Sequence, residues 1–390
     1  MKIAQILKGD GPIWAVFFFL SLISIVEIFS SASQLSYKTG DFYSPLIRQV
    51  GFVFVGFVII NLISRVPCRF FKLIPFVLLP GSWLLLVYTL LFAKAVNDGA
   101  RWLSFAGLSF QPSEFAKLAL IVYTALMLSA QQREDGANPH VFKIIMIPTV
   151  ITCGLIFTEN FSTAALLFGV ILLMMFVGRM PMKIFGKMAS FFVGVAILIF
   201  ASVKVLPESW VKDSSVLHRA DTWVERVVKF TEKKSDDPKD YDFEANRQVA
   251  NANIAIASSK VVGLMPGNSV QRDFLSQPFS DFIFAIIVEE MGIWGAFIVV
   301  VLYIILIFRA WKIAARCKAT FPAFLILGLS FMIVSQAMLN MWVAVGLFPV
   351  TGQPLPLISR GGTAFMLFSC YFGMMLSISI SAKQKELPEQ

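Results

Sequence analysis

Apolar runs, each about long enough to cross a bilayer, recur along this chain and constrain it more than any single motif. A helix needs roughly 20 mostly apolar residues to span the hydrocarbon core. Such runs cover 13–32, 46–64, 73–93, 113–130, 141–158, 160–178, 185–206, 281–308, 321–346 and 363–382. The fifth and sixth are parted only by Thr158, Glu159 and Asn160. Hydrophobic residues make up 57% of the 390 and charged residues 15%, against about 25% charged in a soluble domain. The expected fold class is an all-α polytopic membrane protein, one domain of about ten spans, since a helix satisfies its own backbone in lipid.

Lysine and arginine in the short connections set the orientation. With Lys2 and Lys8 inside, the cation-rich connections around Arg65 and Arg69, Arg179 and Lys183, and Arg309 and Lys312 fall on the same side, as do Lys383 and Lys385. Both termini are therefore expected in the cytoplasm, and residues 207–280 form one long extracytoplasmic loop between spans 7 and 8. The net charge of +9 follows from this asymmetry and from contact with anionic headgroups, and calls for no nucleic acid. No cleavable signal peptide is expected, because the first apolar run is too long. Cys68, Cys153, Cys317 and Cys370 are scattered, and His140 and His218 lie far apart. Neither a disulfide framework nor a metal centre is indicated.

Ionisable residues inside apolar runs need a reason, since each costs about 2.5–3.5 kcal/mol at a helix centre. The sharpest case is Ser276–Gly292, SQPFSDFIFAIIVEEMG. It places Asp281 at the first turn of a helix, with Glu289 and Glu290 two turns deeper. Asp281 is either a helix N-cap or a reactive carboxylate at the outer rim. Glu27 lies within the first span and should face the bundle interior. Pro112 starts a helix that carries Glu114 and Lys117 three apart on one face, as a structural ion pair or a polar lining. Arg101 and Trp102 sit in the loop just before. Asn160, Ser162 and Thr163 read as a tight turn between two helices.

The long outer loop has a charge-mixed helical part, His218 to Lys234, then the turn-forming stretch 235–240. An amphipathic part from Phe243 to Val262, containing Gln248, should lie on the membrane surface. The last outer loop, Phe348 to Ala364, carries several prolines and glycines and one cation, Arg360, and cannot be a regular helix. If it dips to membrane depth, its backbone must be covered by protein or line a wet cavity. Gly361 and Gly362 could offer N–H groups to an anion. Gln336 and Asn340, four apart on the ninth span, could bridge helices. Together these groups describe a pocket of mixed charge at the outer face. Cations there would hold a phosphate while Asp281 takes a proton from a hydroxyl.

Three segments carry a resemblance: NDGARWLSFAGLSFQPSEFAKLAL, SDFIFAIIVEEMGIWG and GLFPVTGQPLPLISRGG. In their order and spacing, over essentially the whole chain, the sequence resembles the SEDS family (shape, elongation, division and sporulation), and within it the division branch of Bacteroidetes-type bacteria. The resemblance implies a peptidoglycan glycosyltransferase of the bacterial inner membrane, at the division septum, that polymerises lipid II with undecaprenyl pyrophosphate as leaving group. It implies Asp281 as the catalytic residue. Arg101, Glu114, Lys117, Gln248, Ser359, Arg360 and Gly361 are the implied substrate-binding set, with Glu289, Glu290 and Asn340 in support. A divalent cation, Mg or Mn, is implied for the family, although the sequence shows no metal cage. The implied partners are lipid II, a cognate class B penicillin-binding protein transpeptidase and other division proteins.

The chain departs from the family pattern in places. Family members commonly have QPDxGTA where this chain reads Thr158-Glu159-Asn160-Phe161-Ser162-Thr163-Ala164, so the acid there is shifted or replaced. Many have LPE where Leu275-Ser276-Gln277-Pro278 stands, and another residue at Arg360. A lipid II flippase or other transporter is the rival reading, on the warrant of intramembrane charge at Glu27, Glu114, Lys117 and Glu290. A transporter would place its site near the midplane between repeated halves. No internal repeat is evident, and the polar groups gather at one face.

Overall fold

The computed structural model describes residues 7–39, 43–92, 103–105, 108–134, 136–188, 190, 194, 247–275 and 280–384. Asp10 opens α1 (Gly11–Thr39), its Oδ1 accepting from the Ile13 N–H at 3.2 Å. α2 (Ser44–Ser64) has proline in its first turn, and a 3₁₀ turn (Cys68–Leu73) leads into α3 (Ile74–Phe92). A small hairpin, β1 (Leu103–Phe105) and β2 (Leu108–Phe110), precedes α4 (Pro112–Ala130), which starts on its proline as expected. α5 (Val141–Phe157) and α6 (Phe161–Val177) follow, then α7 (Arg247–Ser258) in the outer segment. α8 (Ile283–Arg316), α9 (Thr320–Ala344) and α10 (Gly362–Gln384) complete the bundle.

Among the described residues, seven helical stretches are long and apolar enough to cross a membrane, and α5 and α6 are shorter apolar helices of 17 residues each. These account for every expected span except 185–206, most of which lies outside the described residues. The chain is a multi-pass membrane protein. Large apolar side chains such as Phe54, Leu62, Leu84, Trp294, Phe297 and Phe308 stay exposed and form the lipid-facing surface. α10 packs chiefly along α2, α8 along α9, and α4 between α3 and α9. Small residues permit the closest approach: a Cβ on Gly56 would lie 2.5 Å from Ser369 Oγ. On the side read as cytoplasmic, Arg309 of α8 pairs with Asp10 at the head of α1, with Nε to Oδ1 at 3.1 Å.

Two features depart from a plain bundle of helices. First, α8 is interrupted at Gly292 (φ 67, ψ −167). At the break, the outer segment bonds to the carbonyls of Glu289 and Glu290. Leu264 N donates to Glu289 O at 2.9 Å and Met265 N to Glu290 O at 2.8 Å. This backbone stitch needs glycine on both sides. A Cβ on Gly292 would lie 2.4 Å from Val261 O, and one on Gly263 would lie 2.3 Å from Glu290 O.

Second, the loop between α9 and α10 turns back into the bundle. Thr351, Gln353, Leu355, Leu357 and Ile358 are all buried. Its prolines forbid a helix, so helix side chains satisfy its carbonyls instead. Ser24 Oγ of α1 donates to Ile358 O at 2.8 Å. Tyr303 of α8 donates to Pro356 O at 2.6 Å. Gln336 of α9 donates to Pro354 O at 3.0 Å. This re-entrant loop fills the space between α1, α8 and α9.

Gly292→Ala should undo the stitch, since overpacking of this kind costs about 1–3 kcal/mol. The expected result is a lower thermal unfolding midpoint in detergent and faster hydrogen exchange across 263–275. An unchanged protein on both measures would contradict the role given to the break.

Candidate active site

Asp281 lies in a short turn, Ser280–Phe282, just ahead of α8. The helix starts at Ile283, two residues later than the sequence placed it, with Phe282 at the N-cap and no side-chain cap. The N-cap position is therefore Phe282 and not Asp281. Asp281 is partly exposed, and Ser280 Oγ donates to its Oδ1 at 2.7 Å. The backbone of the turn is gripped from two sides. Asn340 Nδ2 of α9 donates to Asp281 O at 2.9 Å and to Gln353 O of the re-entrant loop at 2.7 Å. Ser359 Oγ donates to Ser280 O at 2.7 Å and accepts from Leu355 N at 2.7 Å. Ser359, expected on substrate, is engaged with the chain itself.

Lys117 is fully buried, paired with Glu114 at 2.6 Å and donating to Gln336 Oε1 at 3.0 Å. Gln336 thereby joins this ion pair to the loop carbonyl of Pro354. α6 is tied in as well, because Gln353 Nε2 donates to Thr163 Oγ1 at 2.6 Å. The Glu159–Asn160 cluster is the expected turn. The Asn160 side chain caps α6 by accepting from Ser162 N at 3.0 Å and Thr163 N at 3.4 Å. Thr89 Oγ1 donates to Glu159 Oε1 at 2.6 Å.

Arg360 stands exposed at the mouth of the loop. Its guanidinium is lowered from its ordinary value, first by burial and then by Arg48 nearby. The charge of Arg48 thus reaches Arg360, and the Arg48 guanidinium lies 5.6 Å from the Phe52 ring centre. Its one legible trace was a cation close to the start of an apolar run. Gly361 precedes α10, and its carbonyl accepts from Phe365 N at 2.8 Å. Gln248 sits exposed in the first turn of α7. Arg101 lies outside the described residues, as do Trp102 and the stretch His218 to Lys234.

Glu289 and Glu290, both fully buried, face the outer segment. Glu289 accepts from Ser269 Oγ, from Val270 N at 3.0 Å and from Gln271 N at 3.3 Å. Glu290 accepts from Ser30 Oγ of α1 and from Ser269 N at 3.3 Å, with Arg272 Nη1 at 4.0 Å. They pin residues 269–272 over the helix break, and their carboxylates are engaged there. Glu27 is buried in α1, as its position in an apolar run required.

The arrangement is a helical membrane domain whose outer face carries an accessible carboxylate beside a polar re-entrant loop and an exposed cation. The family described as Cell cycle protein, which takes in FtsW, RodA and SpoVE, matches residues 11–384. The chain belongs to this family. Among its relatives, a probable peptidoglycan glycosyltransferase FtsW of Halomonas elongata is 30% identical over 98% of this chain and 93% of its own length. The Bacillus subtilis protein of the same description is 30% identical over 78% of this chain and 73% of its own. The fold matches a chain of a peptidoglycan synthase complex that coordinates polymerisation and crosslinking, with TM-score 0.74 and 21% identity over 97% of this chain and 99% of that one. It also matches the rod shape determining protein RodA of Thermus thermophilus, with TM-score 0.65 and 20% identity over 96% and 98%.

Breaking a buried ion pair from one side leaves an uncompensated charge, at about 3–5 kcal/mol. Glu114→Gln or Lys117→Met alone should lower the unfolding midpoint sharply, and the double variant should regain most of the loss. If the double variant equals the sum of the singles, the pair is not coupled.

Proposed function

We propose that this chain polymerises lipid II: it joins the glycan of one molecule to the sugar 4-hydroxyl of another, with undecaprenyl pyrophosphate leaving. The observation that carries the reading is the placing of Asp281 in a turn ahead of α8, partly exposed at the outer rim, with its backbone held by Asn340 and Ser359. In the reaction, Asp281 takes the proton of the acceptor hydroxyl as its oxygen bonds to the anomeric carbon. The bond from that carbon to the pyrophosphate breaks, and both electrons leave with the phosphate. One carboxylate suffices because the donor already carries its leaving group, and the stereochemical outcome is inversion.

Negative charge grows on the departing pyrophosphate, so cations nearby lower the barrier. Arg360 with Arg48, and Arg101 from the preceding loop, are the groups proposed for this. Lys117, sealed beneath with Glu114, sets the charged floor of the site. Among the described residues, no group of three or more His, Cys, Asp or Glu is placed to hold a metal ion. An Mg- or Mn-type cation needs only one or two carboxylates with phosphate oxygens, a set that Asp281 and the donor could furnish. Its chemistry would be neutralisation of the leaving pyrophosphate. The likeness to division-type relatives favours septal wall synthesis in the bacterial inner membrane. The likeness to a synthase-complex chain favours a class B penicillin-binding protein as partner.

Purified protein, with its cognate transpeptidase present, should polymerise lipid II, and Asp281→Ala should abolish polymer while lipid II binding stays intact. Arg360→Ala should weaken binding of lipid II about tenfold, as for loss of one charge-assisted contact of about 1.4 kcal/mol. Full activity of Asp281→Ala would remove the base. Movement of labelled lipid II across liposomes without any polymer would favour transport.

A further inference from the structure

We infer that Asn340 and Ser359 are positioning residues for Asp281, acting through its backbone and not through substrate. This rests on the reading of Asp281 as the base. The turn that carries Asp281 precedes α8, at whose start Ala285 N and Ile286 N donate to Phe282 O. Side chains answer the carbonyls of the turn itself. Asn340 donates to Asp281 O at 2.9 Å and Ser359 to Ser280 O at 2.7 Å.

Both donors are themselves fixed. Asn340 is buried, and its amide nitrogen spends a second bond on Gln353 O at 2.7 Å. Ser359 is buried and receives Leu355 N at 2.7 Å, so its hydroxyl hydrogen is directed to Ser280 O. The turn is therefore held on both sides of the Asp281 Cα by a helix and by the re-entrant loop. With the backbone pinned at successive carbonyls, the remaining freedom of Asp281 is its side-chain torsions, and Ser280 Oγ restrains those at 2.7 Å.

A displaced base lowers the rate of the chemical step and leaves ground-state binding alone, and about 1 Å of misplacement can cost about 100-fold. The test is steady-state polymerisation of lipid II by the full chain with its partner transpeptidase, reading kcat and KM separately. Asn340→Leu and Ser359→Ala should each lower kcat about 10- to 100-fold with KM within about twofold. Ser359→Thr, which keeps the hydroxyl, should recover most of kcat. The double variant should lose less than the product of the singles, because both hold one turn. If Asn340→Leu does not fold, the Ser359 pair carries the test alone. Unchanged kcat in Ser359→Ala alongside a dead Asp281→Ala would overturn the positioning role and leave the base in place. A raised KM in Ser359→Ala at constant kcat would make Ser359 a substrate ligand and also overturn it. An active Asp281→Ala would instead sink the base assignment itself.

Discussion

The structure depends on one requirement: a proline-bearing loop that enters a membrane protein must have its carbonyls answered by side chains. A helix answers its own, but 346–361 cannot be a helix. An unsatisfied backbone group away from water costs several kcal/mol. The answering groups come from three helices: Ser24 of α1, Tyr303 of α8, and Gln336 and Asn340 of α9. Each of these three helices therefore carries a polar residue that meets the loop. Ser24 is in turn approached by Gln49 of α2, whose Nε2 donates to its hydroxyl at 2.9 Å. The loop knits helices that would otherwise share only van der Waals contact, since lipid offers them no hydrophobic drive to associate.

The buried charges follow the same economy. Glu114 pairs with Lys117 on its own helix and Lys117 reaches Gln336 of α9, while Glu289 and Glu290 meet Ser269, Ser30 and Arg272 across element boundaries. Each is a fastener. Glu289 and Glu290 hold the outer segment where α8 breaks, and the segment returns the contact through backbone N–H groups to the carbonyls of those same residues. Asp281 and Arg360 differ from these in reaching the surface of the site, which is what chemistry on an outside substrate requires.

What the sequence made legible was local. Apolar runs marked the spans because length and composition alone decide whether a helix suits a bilayer. Pro112 and Asn160 marked helix starts because a cap is settled within a few residues. The failure of Phe348 to Ala364 to form a helix was visible in its prolines, and so was the condition attached to its entering the membrane. The partners that meet the condition were not visible, because Ser24 and Ile358 are 334 residues apart. Gly292 looked like any glycine in an apolar run, since its break is needed only once a second backbone lies against it. Asp281 looked like a cap because a carboxylate before an apolar run usually is one, and only the position of Phe282 decides otherwise. The nearness of Arg48 to Arg360 was not visible, because the two come from opposite ends of the chain.

That Asp281 stands outside its helix has a further consequence. Within a helix, the ladder of backbone bonds would set its direction, and the rest of the protein would matter little. In a turn, its direction is set by whatever holds the flanking carbonyls, here Asn340 and Ser359. Those residues are bound to the re-entrant loop, and the loop is bound through Gln336 to the Glu114–Lys117 pair and through Gln353 to α6. The carboxylate, the charged floor and the loop that ends in Arg360 are therefore one hydrogen-bonded unit.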